Sequence, residues 1–174
     1  MDGDTHYHPL SPILSSLTPG GKEGQPPQEK HIESIVVHSN YMPDELQKFF
    51  AQTSLPSLKY LEISERRGLW NGLILHGTTC LTSLTLNPAV HMTDPVRYPL
   101  LEILHANPDL QHLKLYGVPP NPDHNSAATV PLFQLRTIHL DGLFESIFAL
   151  LQALDLPAEL DTMKFTMADL HEPT

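Results

Sequence analysis

Histidine is the residue whose chemistry stands out in this chain, because eleven histidines occur among 174 residues. Imidazoles serve as metal ligands and as acid–base groups near neutral pH. His6 and His8 form an H-x-H pair of the kind that could ligate a metal ion. No C-x-x-C and no H-E-x-x-H motif accompanies that pair, so the sequence does not favour a zinc site.

The search for a nucleophile or a phosphate-binding loop gives little. Cys80 is the single cysteine, and it directly precedes Leu81 with no evident histidine partner. We predict a small buried thiol rather than a reactive one. Gly20 and Gly21 belong to a Pro/Gly/Gln linker and not to a phosphate-binding motif. We therefore expect no catalytic site, no metal and no cofactor.

The composition narrows the range of partners. Twenty acidic residues against ten basic ones give a net charge of −10, and no basic cluster occurs, which argues against nucleic acid as a partner. A lone cysteine suits a reducing compartment. No apolar run approaches the roughly 20 residues that span a bilayer, and the start lacks a basic signal-peptide region. We expect an intracellular protein, cytoplasmic or nuclear, with no membrane partner.

A repeated pattern predicts the elements that position the polar residues. In "DLQHLKLYG" apolar residues occupy Leu110, Leu113 and Leu115, which is the pattern L-x-x-L-x-L. Copies of this pattern start at six positions: Ile32, Leu58, Leu81, Leu110, Leu135 and Leu160. Their spacings of 26, 23, 29, 25 and 25 residues fall in the range of leucine-rich repeats. The fourth and sixth residues of each copy should face the core, because side chains alternate along a strand.

The predicted fold class is α/β, a leucine-rich-repeat solenoid. We expect a curved parallel sheet of about six strands, with helices and loops on its convex side. Residues 1–29 are predicted to be a partly flexible N-terminal helix/linker segment, and residues 30–170 the repeat array.

Three of the intervening segments predict helices. "PDELQKFFAQT" places Pro43 in a first turn, where proline is favoured. "DPVRYPLLEILHANPD" places Leu100, Leu101 and Leu104 on one face. In "LFESIFALLQALDLP" the apolar residues at helical spacing are Phe144, Ile147, Phe148, Leu151 and Leu154. Segments 65–79 and 117–131 are predicted to be loops.

Residues 30–167 resemble the repeat region of fungal, mushroom-type F-box/leucine-rich-repeat proteins. The resemblance is carried by "LPSLKYLEIS", "CLTSLTLN", "LLEILHANPDLQHLKLYGV" and "PLFQLRTIHLDGLFESIFALLQAL". The ninth repeat position departs from the usual pattern, because it is asparagine only at Asn40; the other five copies carry Arg66, Ala89, Val118, Leu143 and Ala168. The asparagine ladder that ties successive turns together is therefore mostly missing.

In that family the F-box binds an adaptor of a cullin-type ubiquitin ligase, and the repeats hold the substrate. "MPDELQKFF" resembles the opening of an F-box, but we interpret it as the first inter-strand helix because a clean repeat strand follows. The chain is thus expected to lack an F-box, and adaptor binding would require one upstream. The short stretch after the sixth copy, with no evident capping unit, suggests a truncated array.

The resemblance also implies where a partner binds, because the concave sheet exposes the third, fifth and seventh residues of each copy. Residues on these columns that we predict to contact a protein partner are Tyr60, Glu62, His112, Lys114, Tyr116, His139 and Asp141. Amphipathic rings are frequent anchors at protein interfaces. The alternative is a solvated sheet face with no dedicated partner.

The sequence therefore predicts a non-catalytic protein–protein interaction module, similar to the substrate-recognition repeats of an F-box-type ubiquitin-ligase receptor. The alternatives are a leucine-rich-repeat scaffold unrelated to ubiquitin and a truncated fragment. An enzyme or metal-binding protein is the least favoured reading.

Overall fold

The structure is a computed structural model that describes residues 31–39, 46, 49–50, 53–65, 75, 77–88, 100–118 and 129–167. The predicted N-terminal segment, residues 1–29, lies outside the described residues, as do Asn40 and Pro43. Leu46, Phe49 and Phe50 are helical, in the segment where the first inter-strand helix was predicted.

Six strands form one parallel sheet in the order β1-β2-β3-β4-β6-β8. Their bounds are Ser34–Ser39 (β1), Tyr60–Glu65 (β2), Ser83–Pro88 (β3), His112–Val118 (β4), Thr137–Gly142 (β6) and Thr162–Met167 (β8). The prediction of an α/β fold with a parallel sheet of about six strands is confirmed. Val130–Pro131 (β5) and Leu154–Asp155 (β7) pair in a separate two-stranded sheet. The structure thus corrects the prediction of an all-loop segment 117–131, since β5 occupies its end.

Strand pairing joins matching positions of the six copies. The fourth positions pair in one row across the sheet: Ile35, Leu61, Leu84, Leu113, Ile138 and Met163. The sixth positions pair in a second row: Val37, Ile63, Leu86, Leu115, Leu140 and Phe165. Because a slip of one residue would turn every side chain to the other face, this register fixes which residues form the core.

The two rows are buried in the four central strands and less so at the sheet's edges. Leu61, Leu84, Leu113 and Ile138 are each at most 1% exposed. Met163 and Phe165 are exposed, although the pattern predicts core positions for them. Their strand, β8, is an edge of the sheet as described, and a core position is covered only where a neighbouring element packs over it.

A forked hydrogen bond joins the start of each of the four central strands to the copy before it. The carbonyl oxygen of Glu33 accepts from the amides of Lys59 and Tyr60, at 2.9 and 3.0 Å. The carbonyl oxygens of Lys59, Thr82 and Gln111 each accept from two consecutive amides of the next copy in the same way. Each central strand is therefore positioned by a forked backbone acceptor from the preceding copy, whereas β8 has a single bond at its start, from the Thr162 amide to the Arg136 carbonyl at 3.1 Å.

A turn whose first residue is buried precedes each central strand. Its first residue is Leu55, Thr78, Asn107 or Leu132, and all four are buried. In three of these turns the carbonyl of that residue accepts from the amide three residues later, which begins the repeat motif. At Leu81 the amide donates to Asn107 Oδ1 at 2.9 Å, and Asn107 Nδ2 donates to the carbonyl of Ile103 at 2.8 Å. Asn107 thus ties the end of a helix to the start of β3.

Two helices lie between strands, at Leu100–His105 (α1) and Phe144–Gln152 (α2). In α1, Leu100 and Leu104 are buried and Leu101 is partly buried, in line with the predicted face. The predicted face of α2 is partly wrong. Ile147 and Leu150 are buried there, whereas Phe144 and Phe148 are 60% and 51% exposed and stack on each other.

The end of α2 also differs from the prediction, because Leu154 belongs to β7 and not to the helix. The C-cap of the helix is Ala153, whose amide donates to the Leu150 carbonyl. The Ala153 carbonyl accepts a hydrogen bond from the Val130 amide. No helix within the described residues is long and apolar enough to cross a membrane.

Candidate functional site

The polar face of the sheet carries the third, fifth and seventh residue of each copy. These side chains alternate with the buried rows and are half-buried or exposed in every described strand. All seven predicted contact residues lie on this face. Tyr60 and Glu62 come from β2, and the remaining five come from β4 and β6.

One group of interacting side chains lies on β1 and β2. The hydroxyl of Tyr60 donates a hydrogen bond to the Glu62 carboxylate. His38 Nε2 lies 3.7 Å from Glu62 Oε1, which gives an ion pair when the imidazole is protonated. The hydrogen bond to Glu62, burial, and the negative charge of Glu62 together raise the pKa of Tyr60 above its ordinary value. We call His38, Tyr60 and Glu62 the acidic cluster.

A second group lies on β4 and β6. His112 Nδ1 and Thr137 Oγ1 are 2.9 Å apart across a directly paired position. The rings of Tyr116 and His139 contact edge to face, with centroids 5.1 Å apart and an interplanar angle of 68°. Such aromatic contacts add about 0.5–1.5 kcal/mol beyond buried area. His112 and His139 both lie on the polar face but have different partners, Thr137 for His112 and Tyr116 for His139.

A bulge in β4 lies beside the contact between Tyr116 and His139. Leu115 pairs with Leu140 and Val118 with Gly142, so two residues of β4 oppose one residue of β6. Gly117 has φ +69°, the left-handed conformation that glycine adopts readily, and such bulges use it to take up an extra residue. Tyr116 was predicted to share the seventh column with Asp141; the bulge removes it from that ladder, and its ring contacts His139.

Gly142 completes the bulge from the β6 side. Its φ of +157° is unfavourable for residues with a side chain, and a Cβ added there would lie 3.0 Å from the backbone nitrogen of Val118. The two glycines allow the strands to stay close where the register shifts.

His139 occupies an unusual electrostatic position. Burial, then the ammonium of Lys164, and then that of Lys114 lower its pKa below the ordinary value, while the Asp141 carboxylate opposes them. Its Nε2 is closed off from solvent and has no hydrogen-bond partner among the described residues. These surroundings lower the pKa of His139 and so favour the neutral form of its imidazole.

Lys114, His139 and Lys164 occupy directly paired fifth positions on three adjacent strands, and we call them the basic row. Between the acidic cluster and the basic row lies β3, which contributes only the small polar side chains of Ser83, Thr85 and Asn87. The face therefore has groups of opposite charge on either side of a strand with short side chains.

Sequence reasoning placed the seven residues on the correct face but did not single out three of their partners. His38, Thr137 and Lys164 contact or influence Glu62, His112 and His139, respectively. All three stand in the same columns, so the alignment of the six copies was the signal that could have found them.

Among the described residues, the Cys80 thiol lies in a turn and not on this face. Cys80 is exposed, which corrects the prediction of a buried thiol. Thr78 and Leu81 on either side of it turn inward, and Cys80 therefore points out of the turn. Within the described ranges, no group of three His, Cys, Asp or Glu side chains is arranged to hold a metal ion. His6 and His8 lie outside those ranges.

The arrangement supplies hydrogen-bonding, aromatic and charged groups on one ordered surface, which suits recognition of a polar partner. Comparison of the chain with models of known protein families, with curated proteins and with solved structures gives no match.

Proposed function

We propose that the chain is a leucine-rich-repeat solenoid that acts as a non-catalytic protein-binding module through the polar face of its sheet. The observation that carries this proposal is the strand register, which aligns the third and fifth residues of all six copies in continuous rows. The same register keeps the leucine rows of the central strands buried, so the surface is held by the core rather than by loops.

The composition of the polar face supports binding over a merely solvated surface. Tyr60, His112, Tyr116 and His139 are half-buried on it, with rings held by hydrogen bonds or ring contacts. Side chains that are already ordered lose less conformational entropy when a partner binds. Tyrosine is also enriched among the residues that dominate binding energy at protein interfaces.

The resemblance to fungal F-box/leucine-rich-repeat proteins suggests which kind of binding this is. By that resemblance, the chain would recognise the substrate of an F-box-type ubiquitin-ligase receptor, and it would reach the cullin-ligase adaptor only through an F-box upstream. A cytoplasmic or nuclear location fits this role.

A capture experiment with the full chain tests the proposal. Wild-type chain, a variant with alanine at Tyr60, His112, Tyr116 and His139, and a control variant serve as baits in native extract, with mass spectrometry as the readout. The control carries Glu102→Ala, Glu145→Ala and Gln152→Ala, which change exposed helix residues. Circular dichroism first establishes that all three baits are folded.

We expect a specific protein on the wild-type and control baits that is lost from the polar-face variant. A specific partner other than a cullin-ligase adaptor that is retained by the polar-face variant, or no specific partner on any bait, would overturn the proposal. Recovery of a cullin-ligase adaptor with both the wild-type and the polar-face baits would mean that adaptor contact does not use this face.

A further inference from the structure

We propose that the basic row binds an anionic side chain of the protein partner, a carboxylate or a phosphate, and that His139 takes up a proton when the anion binds. This inference rests on the proposed protein-binding function and specifies the chemistry of one part of its site. The partner segment would be an acidic or phosphorylated peptide lying across β4, β6 and β8.

The register brings the three groups of the basic row together. Lys114 pairs with His139, and His139 pairs with Lys164. Neighbouring strands lie about 4.8 Å apart, so the two lysine positions are separated by about 10 Å. An anionic group above His139 would lie within reach of both long, flexible ammonium side chains. Both lysines are exposed, so nothing in the described residues covers them.

Within the part of the chain that the structure describes, neither lysine of the basic row forms an ion pair. Among the described residues, the ion pairs are His38–Glu62 and Lys59–Glu33, and neither includes Lys114 or Lys164. Asp141 lies one column away and pairs in register with Thr166. The ammonium groups of Lys114 and Lys164 lie on either side of His139, and both disfavour a positive charge on its ring. A bound anion would offset this effect, whereas a neutral partner would not.

The location is notable because the whole chain carries a charge of −10, from 20 acidic against ten basic residues. A chain of this net charge repels anions at long range, and the repulsion is screened at physiological salt within about 8 Å. Binding of an anion therefore has to come from local contacts. Of the described lysines, Lys59 is engaged by Glu33 at 2.9 Å, which leaves Lys114 and Lys164 as the pair on the polar face.

The proton on His139 is the second part of the inference. The groups that face its imidazole are Lys114 and Tyr116 from β4, Lys164 from β8 and Asp141 from its own strand. Burial and the two ammonium groups disfavour the imidazolium, while Asp141 favours it. A bound carboxylate or phosphate adds negative charge beside the ring and raises the pKa of His139. By linkage, affinity for the anion should then increase as the pH falls through the pKa range of this residue.

The test uses three hexapeptides of alternating glycine and one variable residue: glutamate, phosphoserine or glutamine. Each is titrated into the full chain while the His139 imidazole is followed by NMR, with His139→Gln used to assign its signals. The variants are Lys114→Gln and Lys164→Gln, and the matched control is Lys59→Gln, which removes a lysine that already has a carboxylate partner.

We expect the glutamate and phosphoserine peptides to bind and to raise the pKa of His139, and the glutamine peptide to do neither. Each row variant should weaken binding about two- to fivefold, the range of exposed ion pairs, and the control should leave it unchanged. Binding by the phosphoserine peptide alone would identify phosphate as the anion source. Equal binding of the glutamine peptide, or an unchanged pKa of His139 with both anionic peptides, would overturn the inference.

Failure of the anion site can be distinguished from failure of the proposed protein-binding function. If the capture experiment yields a partner that depends on the polar face but is retained by a bait carrying both lysine substitutions, the binding module stands and the basic row is not its anion site. If no partner is captured, the binding module fails, and the peptide titration still decides whether the row takes up an anion.

Discussion

Replacing Asn107 with alanine should destabilise the chain more than the loss of such a small side chain suggests. The side chain is only 1% exposed and makes two hydrogen bonds to backbone groups. Its Oδ1 accepts from the Leu81 amide at 2.9 Å, and its Nδ2 donates to the Ile103 carbonyl at 2.8 Å. Alanine can make neither bond, so a buried amide at the start of the third copy and a carbonyl at the end of α1 would lose their partners.

The magnitude follows from the cost of unpaired buried groups. Each buried donor or acceptor left without a partner costs about 1–3 kcal/mol. Leu81 is fully buried, so its amide cannot reach water. The Ile103 carbonyl at the end of α1 can shift toward water and regain a hydrogen bond there. We therefore expect the free energy of unfolding to fall by about 2–4 kcal/mol, a large share of the roughly 5–15 kcal/mol typical of a folded domain.

Urea unfolding followed by far-ultraviolet circular dichroism measures this change. The midpoint should fall while the slope with urea stays constant, which indicates lost stability and not a change in the surface exposed. Asn87→Ala is the matched control, since Asn87 is a half-buried asparagine on the polar face. It should stay within about 0.5 kcal/mol of wild type. Equal stabilities for the Asn107 and Asn87 variants would refute the idea that the two hydrogen bonds tie α1 to β3.

Three further predictions follow from backbone strain and from the two shifted pKa values. Gly142→Ala should lower the free energy of unfolding by about 1–3 kcal/mol in urea unfolding, because of its φ of +157° and the 3.0 Å approach to the Val118 nitrogen; wild-type stability would contradict the described bulge. Glu62→Ala removes the acceptor and should bring the pKa of Tyr60 back toward its ordinary value, since the largest cause of the increase is its hydrogen bond to Glu62; an ultraviolet titration of the phenolate that does not change would count against that cause. The pKa of His139 is lower in the folded chain than in the unfolded chain, so protonation favours unfolding. Wild type should therefore lose unfolding free energy relative to His139→Gln as the pH falls from about 7 to about 5, and a difference that does not vary with pH would disprove the shift.

The arrangement of the sheet could be predicted because it follows from two periods: the alternation of side chains along a strand and the nearly constant spacing of the six copies. Apolar residues at the fourth and sixth position of each copy must lie on one face of a strand, and the polar third, fifth and seventh positions must lie on the other. Repetition at nearly constant spacing then predicts that strands pair with their sequence neighbours. Tyr60, Glu62, Lys114 and His139 were placed on the polar face by this reasoning alone.

The parts that were missed depend on contacts between copies. The bulge at Gly117 takes Tyr116 out of register with Asp141, and no count of apolar positions shows that a strand has bulged. In α2, the sequence offers two overlapping apolar stripes, one with Phe144 and Phe148 and another with Ile147 and Leu150. Only the packing of the helix against the sheet decides which is buried.

Asn107 illustrates the same limit. The repeat pattern predicts a linking asparagine at the ninth position, where it is mostly absent. The asparagine that ties two copies together is Asn107, in the turn before β4. The pairing depends on an amide at Leu81, which is distant in sequence and becomes a neighbour only in the folded chain. A side chain's role as a link between copies therefore cannot be inferred from its own copy.

The forked hydrogen bonds at the strand starts give the array a direction of assembly. In each fork the acceptor carbonyl belongs to the earlier copy, and both donors belong to the later one, from Glu33 onward. During synthesis the ribosome releases the N-terminal part first. Each strand therefore emerges when its docking carbonyl has already been made. Paired residues on neighbouring strands are 23 to 29 positions apart in sequence. The loop that has to close before each new strand can pair is therefore short. The sheet can thus grow behind the ribosome one strand at a time, without waiting for the end of the chain.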